Sequence, residues 1–312
     1  MNSGIRDLQQ LPIPAVFVRE AWKRPRPGAH VIVFANEKGG VGKSTLSFHC
    51  AVGLVHSGAR VLAIDADSRQ RSLSQTLDLR SGTATALKAD LPCPRHVVLD
   101  QQGSAHLCQE MLRLGSDADF IVIDLPGFDS VTARAAMSIA NTLVTPVGNS
   151  TFDIMALGKL DPVTRALVAP GYFSTLVGAI RKERSTFDPA PLDWLVFKNR
   201  TRSGDRRLEV QIDDALAQMA GPMGFRIGSG LAERIVYRDL LCYGLTYLDL
   251  DRIPGLGRRR SEIERQIVDM LALPGLPIER TPAVRSGRRA MMTASASANY
   301  VTAVSRHMND DG

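Results

Sequence analysis

With 312 residues, 44% of them hydrophobic and 22% charged, the chain is long enough for one large α/β domain or two small ones. Its composition is neither that of a disordered polymer nor that of a membrane protein. A net charge of +6 suits a polyanionic partner such as nucleic acid, and equally a solvated basic surface. No stretch supplies the roughly 18 unbroken apolar residues of a membrane-spanning helix. The N-terminus lacks the basic start and apolar run of a secretory signal. Cys50, Cys93, Cys108 and Cys242 are scattered without a C-x-x-C pair, so reduced thiols in a cytoplasmic protein are expected.

In chain order, residues 1–28 read as a flexible extension, because Pro12, Pro14, Pro25 and Pro27 oppose a helix. Apolar runs of strand length then occupy residues 30–36, 60–65, 120–124, 142–147 and 194–197, with helical sequence between them. The first helix is expected over residues 44–57, closed by Gly58. Short continuous apolar runs alternating with helices predict a doubly wound, mostly parallel sheet flanked by helices, the P-loop type of α/β fold. Ligands bind such sheets at the carboxyl ends of the strands. Ile263, Ile267, Met270 and Leu271 recur at helical spacing within residues 259–273. From residue 276 to 312 the composition predicts a disordered tail. The expected division is therefore an extension over 1–28, a domain over 29–275 and a tail over 276–312.

The central motif is Glu-Lys-Gly-Gly-Val-Gly-Lys-Ser-Thr over residues 37–45, after a strand and opening a helix. Gly39, Gly40 and Gly42 allow the tight turn that brings backbone N–H groups to phosphates, with Val41 and Thr45 completing the loop. The helix N-terminus adds partial positive charge. Lys43 is expected to reach the β- and γ-phosphates of ATP, and Ser44 to bind Mg²⁺. The usual first glycine is replaced by Glu37, and an additional lysine, Lys38, precedes Gly39. Asp65 and Asp67 end the second strand, and Asp124 ends the third, in the position of a carboxylate that holds Mg²⁺ through water. Gly127 can offer its N–H to the γ-phosphate.

These residues resemble the ParA/MinD superfamily of deviant Walker A ATPases, marked by K-G-G-x-G-K-[ST]. The stretches 64–72, 160–164, 193–200, 224–231, 235–240 and 243–250 are similar to the MipZ family within it, ATPases that position the division plane. The resemblance covers about four-fifths of the chain. It implies that ATP joins two monomers into a homodimer, that the dimer binds double-stranded DNA non-specifically, and that hydrolysis, slow and linked to dimerisation, releases monomers. It also implies a ParB-like centromere-binding partner, inhibition of FtsZ assembly, and a cytoplasmic, nucleoid-associated protein without stable membrane binding. By motif position, Lys38 would cross to the partner's phosphates, Asp67 would orient the attacking water, Asp65 would stand beside the metal, and Asn199 would read the adenine edge. Phe128 departs from the family, which usually has a second glycine there. A paralogue positioning another cargo, or a metabolic ligase of the same superfamily, is the alternative.

For DNA, Lys198, Arg200, Arg202, Arg206 and Arg207 cluster after the fifth predicted strand, and Arg226, Arg234 and Arg238 follow. Residues 181–209 hold eight basic against five acidic side chains. Interleaved aromatics and recognition motifs are missing there, so neither base stacking nor sequence reading is expected.

Overall fold

A computed structural model of the chain describes residues 14–148, 150–161, 163–164, 166–201, 206–232, 240–250 and 252–253. In chain order the elements are α1 (Pro14–Trp22), β1 (His30–Phe34), α2 (Lys43–His56), β2 (Val61–Asp65), α3 (Ser72–Leu87), β3 (Arg95–Val98), α4 (Ser104–Gly115), β4 (Phe120–Asp124), α5 (Val131–Ile139), β5 (Thr142–Val147), α6 (Thr151–Met155), β6 (Gly158–Leu160), β7 (Leu167–Pro170), α7 (Tyr172–Arg184), β8 (Asp193–Thr201), α8 (Arg206–Met223) and β9 (Arg226–Ala232). A 3₁₀ turn spans Tyr247–Asp249.

Seven strands form one sheet in the order β3-β2-β4-β1-β5-β8-β9, and every neighbouring pair is parallel. The continuous apolar runs are explained by burial on both faces. In β1, Val31 and Val33 face one core while Ile32 and Phe34 face the other. The first core lies under α1, α4, α5, α7 and α8, and the second under α2, α3 and residues 240–253. Burying each such side chain contributes about 1.5–3 kcal/mol. Trp194 is enclosed between Phe173 and Phe225, and its indole donates to Thr145 Oγ1 at 2.9 Å, so the largest core residue leaves no polar atom unpaired.

The irregular extension expected for residues 1–28 is corrected by α1. Pro14 stands at the first helical position, where its missing N–H forfeits no hydrogen bond, and Pro25 and Pro27 come after the helix has ended. Phe17, Val18 and Ala21 bury themselves on the domain, so packing supplies what the flanking prolines withhold. The packed helices thus reach back at least to residue 14. The helix expected over 259–273 and the tail over 276–312 lie outside the described residues. Two strands beyond the five expected close the sheet. β3 is an edge strand whose residues are partly exposed, and β9, with Gly228 and Gly230, has no unbroken apolar run. All four cysteines are free thiols.

Residues 240–250 are locked onto α2 and α3 by a buried fork. Arg80 donates to Asp249 through both Nη atoms at 2.6 and 2.7 Å, and both side chains are fully buried. Gly244, at φ 62, must be glycine, since a Cβ there would come within 2.3 Å of the Arg80 nitrogen.

Candidate nucleotide and switch site

The loop between β1 and α2 lies at the carboxyl edge of the sheet, where the strand order reverses around β1. Its conformation is set by glycines and by one asparagine. Gly40 and Gly42 have φ of 78 and 88, and Gly42 closes the loop as the N-cap of α2. Asn36 donates to Pro146 O at 2.6 Å and accepts from the Lys38 N–H at 3.0 Å, which moors the start of the loop to β5. Lys43 is buried and donates to Lys38 O at 2.8 Å, spanning the loop from within; burial pulls its ammonium below the ordinary lysine range, against the charges of Asp124 and Asp67.

Beside the loop opens a cavity of about 640 Å³. Gly39, Gly40, Gly42, Lys43, Ser44 and Thr45 form one wall, Asp67, Arg69 and Gln70 another, and Gly127 and Phe128 a third. Gly127 presses on the loop, since a Cβ there would sit 3.1 Å from Gly39 N and 3.3 Å from Lys43 Nζ. The Asp124 carboxyl is buried and hydrogen-bonded by Ser44, with Ser47 Oγ at 3.2 Å, while its Oδ2 has no partner. Burial pushes it up to about 7; the Ser44 bond opposes this and the neighbouring Asp65 adds to it. An orphaned carboxylate oxygen beside a serine hydroxyl and a buried lysine, under a glycine-rich loop that lines the cavity, fits a nucleoside triphosphate chain with Mg²⁺.

The predicted residues fall into distinct places. Asp67 lines the cavity, its Oδ1 accepting from the N–H groups of Arg69 and Gln70. Asp65, level with Asp124 in the sheet, accepts from Asp67 N and Ser74 N at 3.0 Å each. It braces the turn into α3, and burial raises its carboxyl above the usual range. Asn199 is not on the cavity wall. It is buried against Gly42 and donates to Val41 O at 2.8 Å, so it buttresses the loop from behind. Lys38 turns away from the cavity, its Nζ on Asp153 Oδ1 at 2.7 Å and 5.6 Å from the centre of the Phe152 ring.

Four residues to which the sequence reading gave no role, Asp129, Arg134, Tyr172 and Glu37, cluster at the segment after β4. Asp129 is gripped by Arg134, with Nε at 2.9 Å from Oδ1 and Nη2 at 2.5 Å from Oδ2, and Tyr172 OH donates to the same Oδ2 at 2.9 Å. Glu37 lies beside them with a buried, partnerless Oε1; burial and the Asp129 charge push it up to about 7. A lone arginine within the apolar run of α5 was the available signal. Phe128, half exposed, borders both the cavity and a small apolar cleft beneath Glu37.

The basic cluster is less uniform than its count suggested. Lys198 is paired with Asp213. Arg226 turns to Asp193 at the amino end of β8, at 2.7 and 2.8 Å, so these two cations are already engaged. Arg207 is exposed on α8. Arg200 lies in the carboxyl-terminal part of β8 and Arg206 begins α8. Arg202, Arg234 and Arg238 lie outside the described residues.

Known proteins are similar to this chain. Residues 30–274 match the family model described as ATPase MipZ. An iron–sulfur cluster carrier protein of Deinococcus radiodurans is 26% identical over 232 residues, covering 67% of this chain and 63% of that protein. The maintenance of carboxysome distribution protein A of Gloeobacter kilaueensis is 32% identical over 141 residues, 45% of this chain and 58% of that protein. The chain thus spans under two thirds of the length of these curated relatives. Among solved structures, a plasmid partition protein of Borrelia burgdorferi B31 bound to AMPPNP superposes with a TM-score of 0.51 at 17% identity, over 78% of this chain and 98% of that one; this likeness concerns the fold. With a family match across most of its length and the double-lysine loop in place, the chain belongs to the MipZ family of ParA/MinD-type P-loop ATPases.

Proposed function

We propose that the chain is an ATP-driven dimerisation switch that binds double-stranded DNA without sequence preference. In this reading it is recruited by a ParB-like protein and positions the division site by restraining FtsZ assembly. The observation that carries the switch is Lys38: it sits on the loop that would hold the phosphates, yet its ammonium points out of its own cavity, where a second protomer could receive it.

Within one protomer, Lys43 and the amides of residues 39–45 would hold the β- and γ-phosphates. Ser44, with Asp124 acting through water, would hold Mg²⁺, which when bound neutralises charge on the phosphate oxygens. Asp67, which lines the cavity, would orient the water that attacks the γ-phosphate, and the Gly127 N–H would follow that phosphate. Asp65 fixes the turn that carries Asp67. Lys38 of a second protomer would supply a further cation, so hydrolysis and dimer lifetime become linked. The cell-positioning part of the proposal rests on the family, and the names of the carboxysome and plasmid-partition relatives support positioning as its general theme.

Light scattering with ADP and with ATP tests this. Wild type should be monomeric with ADP and dimeric with ATP, Lys38→Ala should stay monomeric, and Asp67→Ala should accumulate as a dimer. DNA affinity of the ATP form should fall with salt at a log–log slope of about −0.9 per neutralised phosphate, and Arg207→Ala should reduce that slope by about one phosphate. A chain that stays monomeric with ATP sinks the switch.

A further inference from the structure

The segment after β4 is pinned at its far end by side chains that no part of the nucleotide cavity supplies. Only Pro126, Gly127 and Phe128 separate the buried Leu125 from the buried Asp129. Gly127 lies so close to the loop that a Cβ on it would meet Gly39 and Lys43, so the placement of Asp129 two residues on bears on the cavity wall. Asp129 in turn is held by the two-bond fork of Arg134, one turn into α5, with Tyr172 at the start of α7 as the third member. A planar guanidinium fixes the orientation of a carboxylate, which a lysine point charge does not.

The floor under this fork is α1. The Phe17 ring lies 5.5 Å from the Arg134 guanidinium carbon. Trp22 donates its indole N–H to Ser138 O on α5 at 3.0 Å and stacks on Phe187 at 6.3 Å, and Arg19 pairs with Glu183 on α7 at 2.6 Å. α1 therefore ties together the two helices that carry Arg134 and Tyr172. It also precedes residue 30, where the family match begins.

We propose that Arg134 is a positioning residue for the switch segment, acting through Asp129, and that α1 sets the position of Arg134 and so controls nucleotide turnover. This inference rests on the ATPase reading above. Small displacements of groups that orient a reaction reduce the rate without weakening substrate binding, so the effect belongs in kcat.

The test measures kcat and KM for ATP on the full chain for wild type, Arg134→Lys, Phe17→Leu, the double variant and Tyr172→Phe, with melting temperatures alongside. Arg134→Lys should lower kcat by about three- to tenfold while KM stays within about twofold. Phe17→Leu should lower kcat less, and the double variant should be no slower than Arg134→Lys, because both changes act through one fork. Unchanged kcat in a folded Arg134→Lys, or a double variant whose loss is the product of the two single losses, overturns the proposal. If Arg134→Lys does not fold, Tyr172→Phe decides: reduced kcat at constant KM supports the proposal and unchanged kcat overturns it. A wild-type chain without ATP turnover overturns the ATPase reading and this proposal with it.

Discussion

Two buried arginine–aspartate forks lie on opposite faces of the sheet, and they are built to different degrees of completion. At Arg80–Asp249 the carboxylate also accepts from the Thr246 N–H and hydroxyl, and His56 Nε2 stands 2.8 Å from it. Burial pushes the Asp249 carboxyl up, but hydrogen bonds from Arg80 and His56 outweigh this and hold it well below the usual range. At Arg134–Asp129 the hydroxyl of Tyr172 joins the fork, and the neighbouring Glu37 keeps a buried oxygen without a partner. A fork with every lone pair engaged fastens segments that stay together. One that stands beside a cavity, a half-exposed phenylalanine and an unsatisfied carboxyl orients the segment that lines that cavity.

The largest effect that would break this contrast is on stability. Arg80→Ala leaves a buried carboxylate without its partner and should cost about 3–5 kcal/mol in urea unfolding at neutral pH. Because the folded Asp249 carboxyl is depressed, the stability it contributes is present above the unfolded carboxylate pKa of about 3.9 and fades as pH falls below it. The deficit of Arg80→Ala should therefore shrink in acid. A deficit of under about 1 kcal/mol, or one independent of pH, would remove the distinction between the forks.

A smaller effect concerns Lys38. Its partner Asp153 is mostly buried, but the lysine is 36% exposed, and such pairs contribute about 0–1 kcal/mol. Asp153→Ala should free the lysine and strengthen ATP-dependent dimerisation by about two- to fivefold, read by light scattering across protein concentration. Weaker dimerisation would show that Asp153 assists the dimer instead of holding the monomer.

The smallest effect sharpens the account of the switch-side cluster. Burial and the Asp129 charge push the Glu37 carboxyl up to about 7 in the folded chain, above the ordinary glutamate value of about 4.3. Between those values the unfolded chain has lost a proton that the folded chain keeps, so wild-type stability declines as pH rises across the window. Glu37→Gln carries no such proton, and its melting temperature should gain on wild type as pH goes from about 5 to about 7. A constant gap would show that Glu37 ionises like a solvated carboxylate.

Much of the core was legible because its signals are local. The runs at β1, β2, β4 and β5 are apolar on both faces, and the glycines and lysines of residues 37–45 can form only a phosphate-type loop between strand and helix. The edges were not legible for the opposite reason. β3 is short and partly exposed, β9 contains glycines, and α1 looked broken because prolines flank it, although Pro14 sits where a helix tolerates one. That Asn199 braces Val41 and Gly42 was not legible either, because the contact joins residues far apart in sequence.

By itself the sequence determined the doubly wound sheet, the phosphate loop and the carboxylates at the strand ends, since these follow from periodicity and from residues adjacent along the chain. Only the tertiary structure decided which way Lys38 points, that Arg134 reaches Asp129 and Tyr172, and that α1 lies beneath that fork. Those outcomes join residues far apart in sequence, and burial fixes them: a charged side chain taken out of water must find its partner wherever the packed helices bring one within reach.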